Sequence, residues 1–223
     1  MPELPEVETT RRGIEPHVLG RRIDGWIIRD RRLRWPIELP DALVGQRVTR
    51  VARRAKYLGL LTNAGGLIVH LGMSGSLRRV EPERAVGTHD HVDLLFEGGV
   101  CLRYTDPRRF GSIHYQPGDW GSHWLLASLG PEPASAAFSG RYLHERSRKK
   151  RVPVKSFLMD GRIVVGVGNI YANEALFEAG IRPRRAAGRL NRGECDRLAE
   201  AIRNTLTRAI EEGGTTLRDF VGG

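Results

Sequence analysis

The chain has 223 residues, enough for one or two domains with a real core, and its 40% hydrophobic content is ordinary for a globular protein. Its 36 Lys and Arg against 26 Asp and Glu leave a formal net charge of +10, which favours a polyanionic partner, nucleic acid ahead of membrane. No apolar run approaches the roughly 18 residues of a membrane span and the acidic start is not a signal peptide, so a cytoplasmic protein with no membrane partner is expected. Two cysteines, Cys101 and Cys195, are too few for a disulfide framework or a four-cysteine zinc site within this sequence.

The stretch Pro2-Glu3-Leu4-Pro5-Glu6-Val7-Glu8 opens the chain. Pro5 at a first helical turn, acids Glu6 and Glu8 behind it, and Arg11 and Arg12 a turn or two later match a helix dipole at both ends. A helix starting at residue 5 is predicted, with Pro2 and Glu3 at its positive end, where a phosphate is welcome. Removal of Met1, expected before a small second residue, gives Pro2 a secondary α-amine. Such an amine titrates near ~8 and attacks electrophilic carbon when neutral, while Glu3 beside it can move protons. The competing reading is an ordinary frayed, polar terminus.

Short β-like runs follow at 22–29, 47–54, 57–61, 67–71 and 76–80. Asn63-Ala64-Gly65-Gly66 and Glu97-Gly98-Gly99 read as hairpin turns, the second joining 91–96 to 100–104. Many short strands with tight turns predict an antiparallel sandwich or barrel over about residues 15–115. In the middle of it, His89, His91 and Asp93 alternate onto one strand face and could hold a metal, although the preferred reading has none. Pro117, Gly118 and Gly121 mark a linker at 117–122 between units at 1–116 and 123–223.

From Trp124 the period becomes helical, stopped at Gly130-Pro131 and resumed at Arg141-Tyr142-Leu143-His144. The basic run Arg146 to Arg151, followed by Lys155, reads in isolation as a solvated face. Gly166, Gly168 and Asn169 stand at the start of a helix over 170–178, where free backbone N–H groups can hold a DNA phosphate; with no third glycine and no strand before them, they are not a dinucleotide fingerprint. Leu198, Ile202, Leu206 and Ile210 form the core-facing stripe of a long helix over 192–211.

Five motifs together, Met1-Pro-Glu-Leu-Pro-Glu-Val-Glu-Thr9, Arg53-Arg54-Ala55-Lys56-Tyr57-Leu58, His70-Leu71-Gly72-Met73-Ser74-Gly75, Thr105-Asp106-Pro107-Arg108-Arg109-Phe110-Gly111 and Gly166-Val167-Gly168-Asn169-Ile170-Tyr171, give the chain its resemblance to the formamidopyrimidine-DNA glycosylases, bacterial base-excision repair enzymes. The resemblance implies an α+β fold: an N-terminal β-sandwich bearing the N-terminal helix, then a helical helix-two-turn-helix domain, with a basic DNA cleft between them. It implies a monomer that acts on damaged double-stranded DNA as a glycosylase and an abasic-site lyase. Pro2 would be the nucleophile that forms a Schiff base, Glu3 the acid and base, Glu6 a supporting carboxylate, and Lys56 a phosphate contact and proton donor in strand cleavage.

His70, His89, Lys150, Lys155 and Asn169 would contact the DNA backbone. A damaged nucleotide must be flipped out of the stack and its place filled; the resemblance assigns that to Met73 in the vacated space, Phe110 as a wedge and Arg108 on the orphaned cytosine. Thr215 and Thr216 would lie in the loop over the flipped base. Leu4, Met73 and Phe110 resemble the branch for 8-oxoguanine and formamidopyrimidines rather than the endonuclease VIII branch for oxidised pyrimidines. Family members continue beyond Phe220 into a C-terminal zinc finger, whereas this sequence stops at Gly223, so no cofactor is encoded in it. A damaged-DNA binding module with lost or impaired turnover is the rival expectation.

Overall fold

The structure, a computed structural model, describes residues 2–81 and 83–213. They form two compact units, Pro2 with Val7–Ala127 and Glu3–Glu6 with Ser128 onward. Helix α1 (Leu4–Val18) thus belongs by its first residues to one unit and by the rest to the other. It begins one residue before the predicted start. Glu3 occupies the capping position, and the Glu6 carboxylate reaches back to accept the Glu3 N–H at 2.8 Å, the return half of a capping box.

In the first unit eight strands follow: β1 (Ile23–Ile28), β2 (Arg50–Arg54), β3 (Tyr57–Leu61), β4 (Gly65–His70), β5 (Ser76–Val80), β6 (Asp90–Phe96), β7 (Val100–Thr105) and β8 (Ser112–Pro117). They make two antiparallel sheets, ordered β1-β6-β7-β5 and β2-β3-β4-β8. Alternate residues of both sheets, such as Leu58, Leu60, Leu67 and Val69 from one and Val92, Leu94, Phe96 and Leu102 from the other, join Val7, Ile14 and Val18 of α1 in a single buried cluster. This is the expected β-sandwich, built on period-two alternation.

Three expectations need correction. Gly65 and Gly66 are not turn residues but extend β4, pairing with Pro117 and Gln116. Strand β8 was not predicted, because Ser112-Ile-His-Tyr-Gln-Pro117 mixes polar residues with a terminal proline. Residues 117–122 are not a free linker: Asp119 caps a 3-10 turn at Trp120–Ser122 through the Gly121 N–H, and the Trp120 ring lies against Gly59 of β3, so the segment packs on the first unit. Helix α2 (Trp124–Ala127) ends that unit.

The second unit holds α3 (Gly140–Ser147), α4 (Val154–Met159), α5 (Asn169–Glu178) and α6 (Arg192–Glu211). Its core gathers Phe138, Leu143, Phe157, Leu158, Tyr171, Leu176, Leu198, Ile202 and Leu206. Helix α6 opens with a full capping box between Asn191 and Glu194 and buries the predicted stripe except Ile210, which is half-buried near its C-terminal end.

Candidate active site and nucleic-acid interface

Residues this close to a chain terminus are normally mobile; here Glu3 is 1% exposed. Its carboxylate lies at the start of α5, with Oε2 accepting the Gly168 N–H at 2.7 Å and Oε1 the Ile170 N–H at 2.9 Å. The Leu4 N–H donates to the Gly166 carbonyl at 3.1 Å, and the buried Tyr171 hydroxyl donates to Glu6 Oε1 at 2.6 Å. Helix α5 has no side-chain cap of its own; Glu3 supplies it from the other end of the sequence, an anion on a helix N-terminus. The N–H groups of Gly168 and Ile170, predicted to be available for a DNA phosphate, are therefore engaged by Glu3.

The side chains beside that helix start remain outward. Lys155, on α4, donates to Asn169 Oδ1 at 2.6 Å, which leaves the Asn169 amide hydrogens as donors. Lys150 is exposed in the turn after α3, its carbonyl accepting from Gly188.

In the first unit, Lys56 stands in the β2–β3 turn and His70 ends β4. Burial, then the Lys56 and Arg34 charges, lower the His70 pKa to about 4. Its Nδ1 accepts the Gly72 N–H at 3.1 Å, so the neutral ring carries its proton on Nε2 and offers a hydrogen-bond donor. Met73 is 39% and Phe110 46% exposed, too open for core residues, and the Arg108 guanidinium stacks over the Phe110 ring at 4.9 Å. Gly72, at φ +62, brings the two loops together, since a side chain there would collide with Phe110 and Gly111.

Sequence reasoning missed the group that organises these loops. The fully buried Asp106 accepts from the Ser74 hydroxyl at 2.7 Å, the Arg108 N–H at 3.2 Å and the Gly111 N–H at 2.9 Å. The Tyr104 hydroxyl lies 3.3 Å from its Oδ2. An aspartate before proline at a turn was the available signal. Tyr171 was missed too, as an apolar-looking helix residue.

His89 is exposed, whereas His91 donates through Nε2 to the Asp106 carbonyl at 2.8 Å and Asp93 pairs with Arg29 and Arg103. These bonds engage two of the three residues, His91 and Asp93, that could have held a metal with His89. Cys101 and Cys195 are each buried, and among the described residues no group of His, Cys, Asp and Glu is placed to take a zinc ion. Thr215 and Thr216 lie outside the described residues.

A β-sandwich with exposed apolar and cationic loops, and a helical unit with a Lys–Asn pair at a helix start, define an α+β protein of the nucleic-acid-binding class. The Formamidopyrimidine-DNA glycosylase N-terminal domain matches residues 1–113 and the Formamidopyrimidine-DNA glycosylase H2TH domain matches residues 129–221; the chain belongs to the formamidopyrimidine-DNA glycosylase family. It is 58% identical to the formamidopyrimidine-DNA glycosylase of Alkalilimnicola ehrlichii over 99% of this chain and 82% of that protein. With that of Stutzerimonas stutzeri it shares 59% identity over 100% and 83%. The Lactococcus lactis enzyme non-covalently bound to DNA with an AP site superposes with a TM-score of 0.89 at 31% identity, covering 97% of this chain and 85% of that one. The same enzyme with DNA containing Fapy-dG gives 0.91 at 32%, covering 99% and 84%.

Proposed function

We propose that this chain excises oxidised purines, 8-oxoguanine and formamidopyrimidines, from double-stranded DNA and nicks the strand at the resulting site. The observation that carries the proposal is the burial of Glu3 at the start of α5, which fixes the residue next to the N-terminal amine instead of leaving it frayed. With Met1 removed, the neutral Pro2 amine attacks C1′ and the glycosidic bond breaks, its electron pair and a proton going to the departing base. The amine gives up its own proton, the sugar ring opens as O4′ is protonated, and an iminium (Schiff base) joins Pro2 to C1′. Loss of a C2′ proton then expels the 3′ phosphate. Glu3 exchanges the protons of base loss and ring opening, Glu6 holds the Glu3 main chain, and Lys56 donates a proton in the elimination. His70, His89, Lys150, Lys155 and Asn169 hold the DNA backbone, while Met73, Arg108 and Phe110 fill the space left by the flipped nucleotide.

Borohydride reduction on a duplex carrying 8-oxoguanine tests the reading. A covalent protein–DNA adduct is expected, lost in Pro2→Gly and when Met1 is retained. Binding with no adduct would make the chain a damage-binding module, and an adduct formed only with an oxidised pyrimidine would move it to the endonuclease VIII branch.

A further inference from the structure

The geometry points to Asp106 as the positioning residue that sets Met73, Arg108 and Phe110 as one insertion unit; the inference rests on the function proposed above. Asp106 is 0% exposed, so its side chain is no surface contact, yet the loops that carry Met73, His89, Arg108 and Phe110 converge on it. Its Oδ1 takes the Ser74 hydroxyl, next to Met73, at 2.7 Å and the Arg108 N–H at 3.2 Å. Its Oδ2 takes the Gly111 N–H, next to Phe110, at 2.9 Å. Its own N–H donates to the His89 carbonyl at 3.0 Å. Ser74 Oγ also accepts the Arg108 N–H at 3.2 Å, so the Met73 loop and the Arg108 loop are tied both directly and through the carboxylate.

An ionised aspartate only accepts hydrogen bonds, and both of its oxygens here face donors. An asparagine fits the space but presents an N–H on one side. With the amide toward Ser74 and Arg108 it opposes the Arg108 N–H; with the amide toward Gly111 it opposes the Gly111 N–H. Either orientation loosens one loop from the other. Arg109, between Arg108 and Phe110, sits at φ +58, a conformation a non-glycine residue keeps only when its surroundings hold it. Its N–H donates to the Asp106 carbonyl at 3.3 Å, so the turn that aims Phe110 is also anchored on this residue.

The test compares Asp106→Asn with the unsubstituted chain in single turnovers on two duplexes, one with 8-oxoguanine opposite cytosine and one with a preformed abasic site at the same position. An abasic nucleotide has no base to unpair and unstack, so filling the stack weighs less in its cleavage. Excision of 8-oxoguanine is expected to fall about tenfold, the effect of one lost hydrogen bond in the transition state, and to fall several-fold further than abasic-site cleavage. Equal losses on both duplexes, or no loss on either, overturn the inference, because a merely structural residue would not change the ratio. Where Asp106→Asn does not fold, Ser74→Ala replaces it; a lowered ratio supports the inference and an unchanged ratio overturns it. If the unsubstituted chain forms no borohydride adduct and cuts neither duplex, the proposed function fails and this inference falls with it, an outcome distinct from an active chain indifferent to Asp106.

Discussion

His70 and Lys155 show how two residues assigned to the same DNA backbone act by different physics. Burial lowers the pKa of His70 to about 4 and, in the same way, that of His114, whose ring also faces His123. Unfolded histidine titrates near ~6.5, so between the two values the unfolded chain binds more protons than the folded one. Stability is therefore complete above the unfolded value and is lost as pH falls toward 4, by on the order of 1–3 kcal/mol for His70 and by less for the more open, solvent-screened His114. Thermal melts from neutral pH down to 4.5 should fall less steeply for His70→Asn and His114→Asn than for the unsubstituted chain; parallel curves would refute the assignment. Under the proposed function, a neutral His70 would bring a hydrogen-bond donor and no charge to the DNA backbone, whereas the Lys155 ammonium would bring a charge. His70→Asn should thus weaken binding without altering its salt dependence, while Lys155→Ala should reduce the slope of log K against log salt by about one. Salt titrations of both variants separate the two.

The elements that matter most are the starts of α1 and α5, each capped by a carboxylate near the chain's beginning. A side chain on Gly168 would collide with the Glu3 carboxyl, and Glu3 is what caps α5, so Gly168→Ala should both dislodge the residue beside Pro2 and uncap the helix. The expected cost is about 1–3 kcal/mol of stability, from donors left without an acceptor, together with loss of the borohydride adduct. A Gly168→Ala protein that melts and traps like its parent would sever this link. Helices α5 and α6 were legible from apolar periodicity, and the capping residues Asn191 and Glu194 stand in the sequence at the right spacing, whereas the six-residue α4 is too short to show a period. The use of the α5 start was not, because the acceptor of the Gly168 N–H lies 165 residues away and no local pattern encodes a partner at that distance. A helix start with glycines reads as a phosphate site until its partner is seen. Trp120 misled for the same reason. Its neighbours Pro117, Gly118 and Gly121 have linker composition, while the surface it packs on, Gly59, is recognised only when the sheet is formed. In the candidate site the outward-facing residues were legible as motifs; the buried Asp106 and Tyr171 that hold them drew no attention, since hydrogen bonding inside a fold leaves little trace in composition.

At the scale of the whole molecule the net charge of +10 is not spread evenly over function. Many arginines are committed within the fold: Arg11 and Arg53 to Glu8, Arg29 and Arg103 to Asp93, and Arg185 to Glu194. Their guanidinium donors are turned onto protein carboxylates rather than outward, so the salt dependence of DNA binding should follow a small set of cations that reach phosphates rather than the total. Lys56 belongs to the sandwich unit and Lys155 to the helical unit, which turns the salt slope into a test of whether one duplex engages both. Each phosphate neutralised contributes a slope of about 0.9. If both units hold the same DNA, Lys56→Ala and Lys155→Ala should each lower the slope by that amount and the double variant by about twice as much, since separate contacts add. The affinity lost should be similar for damaged and undamaged duplexes, because backbone contacts carry no sequence or lesion information. A slope that responds to Lys155 alone would confine binding to the helical unit and leave Lys56 with a chemical role only. A loss restricted to lesion-containing DNA would instead place these lysines at the flipped nucleotide.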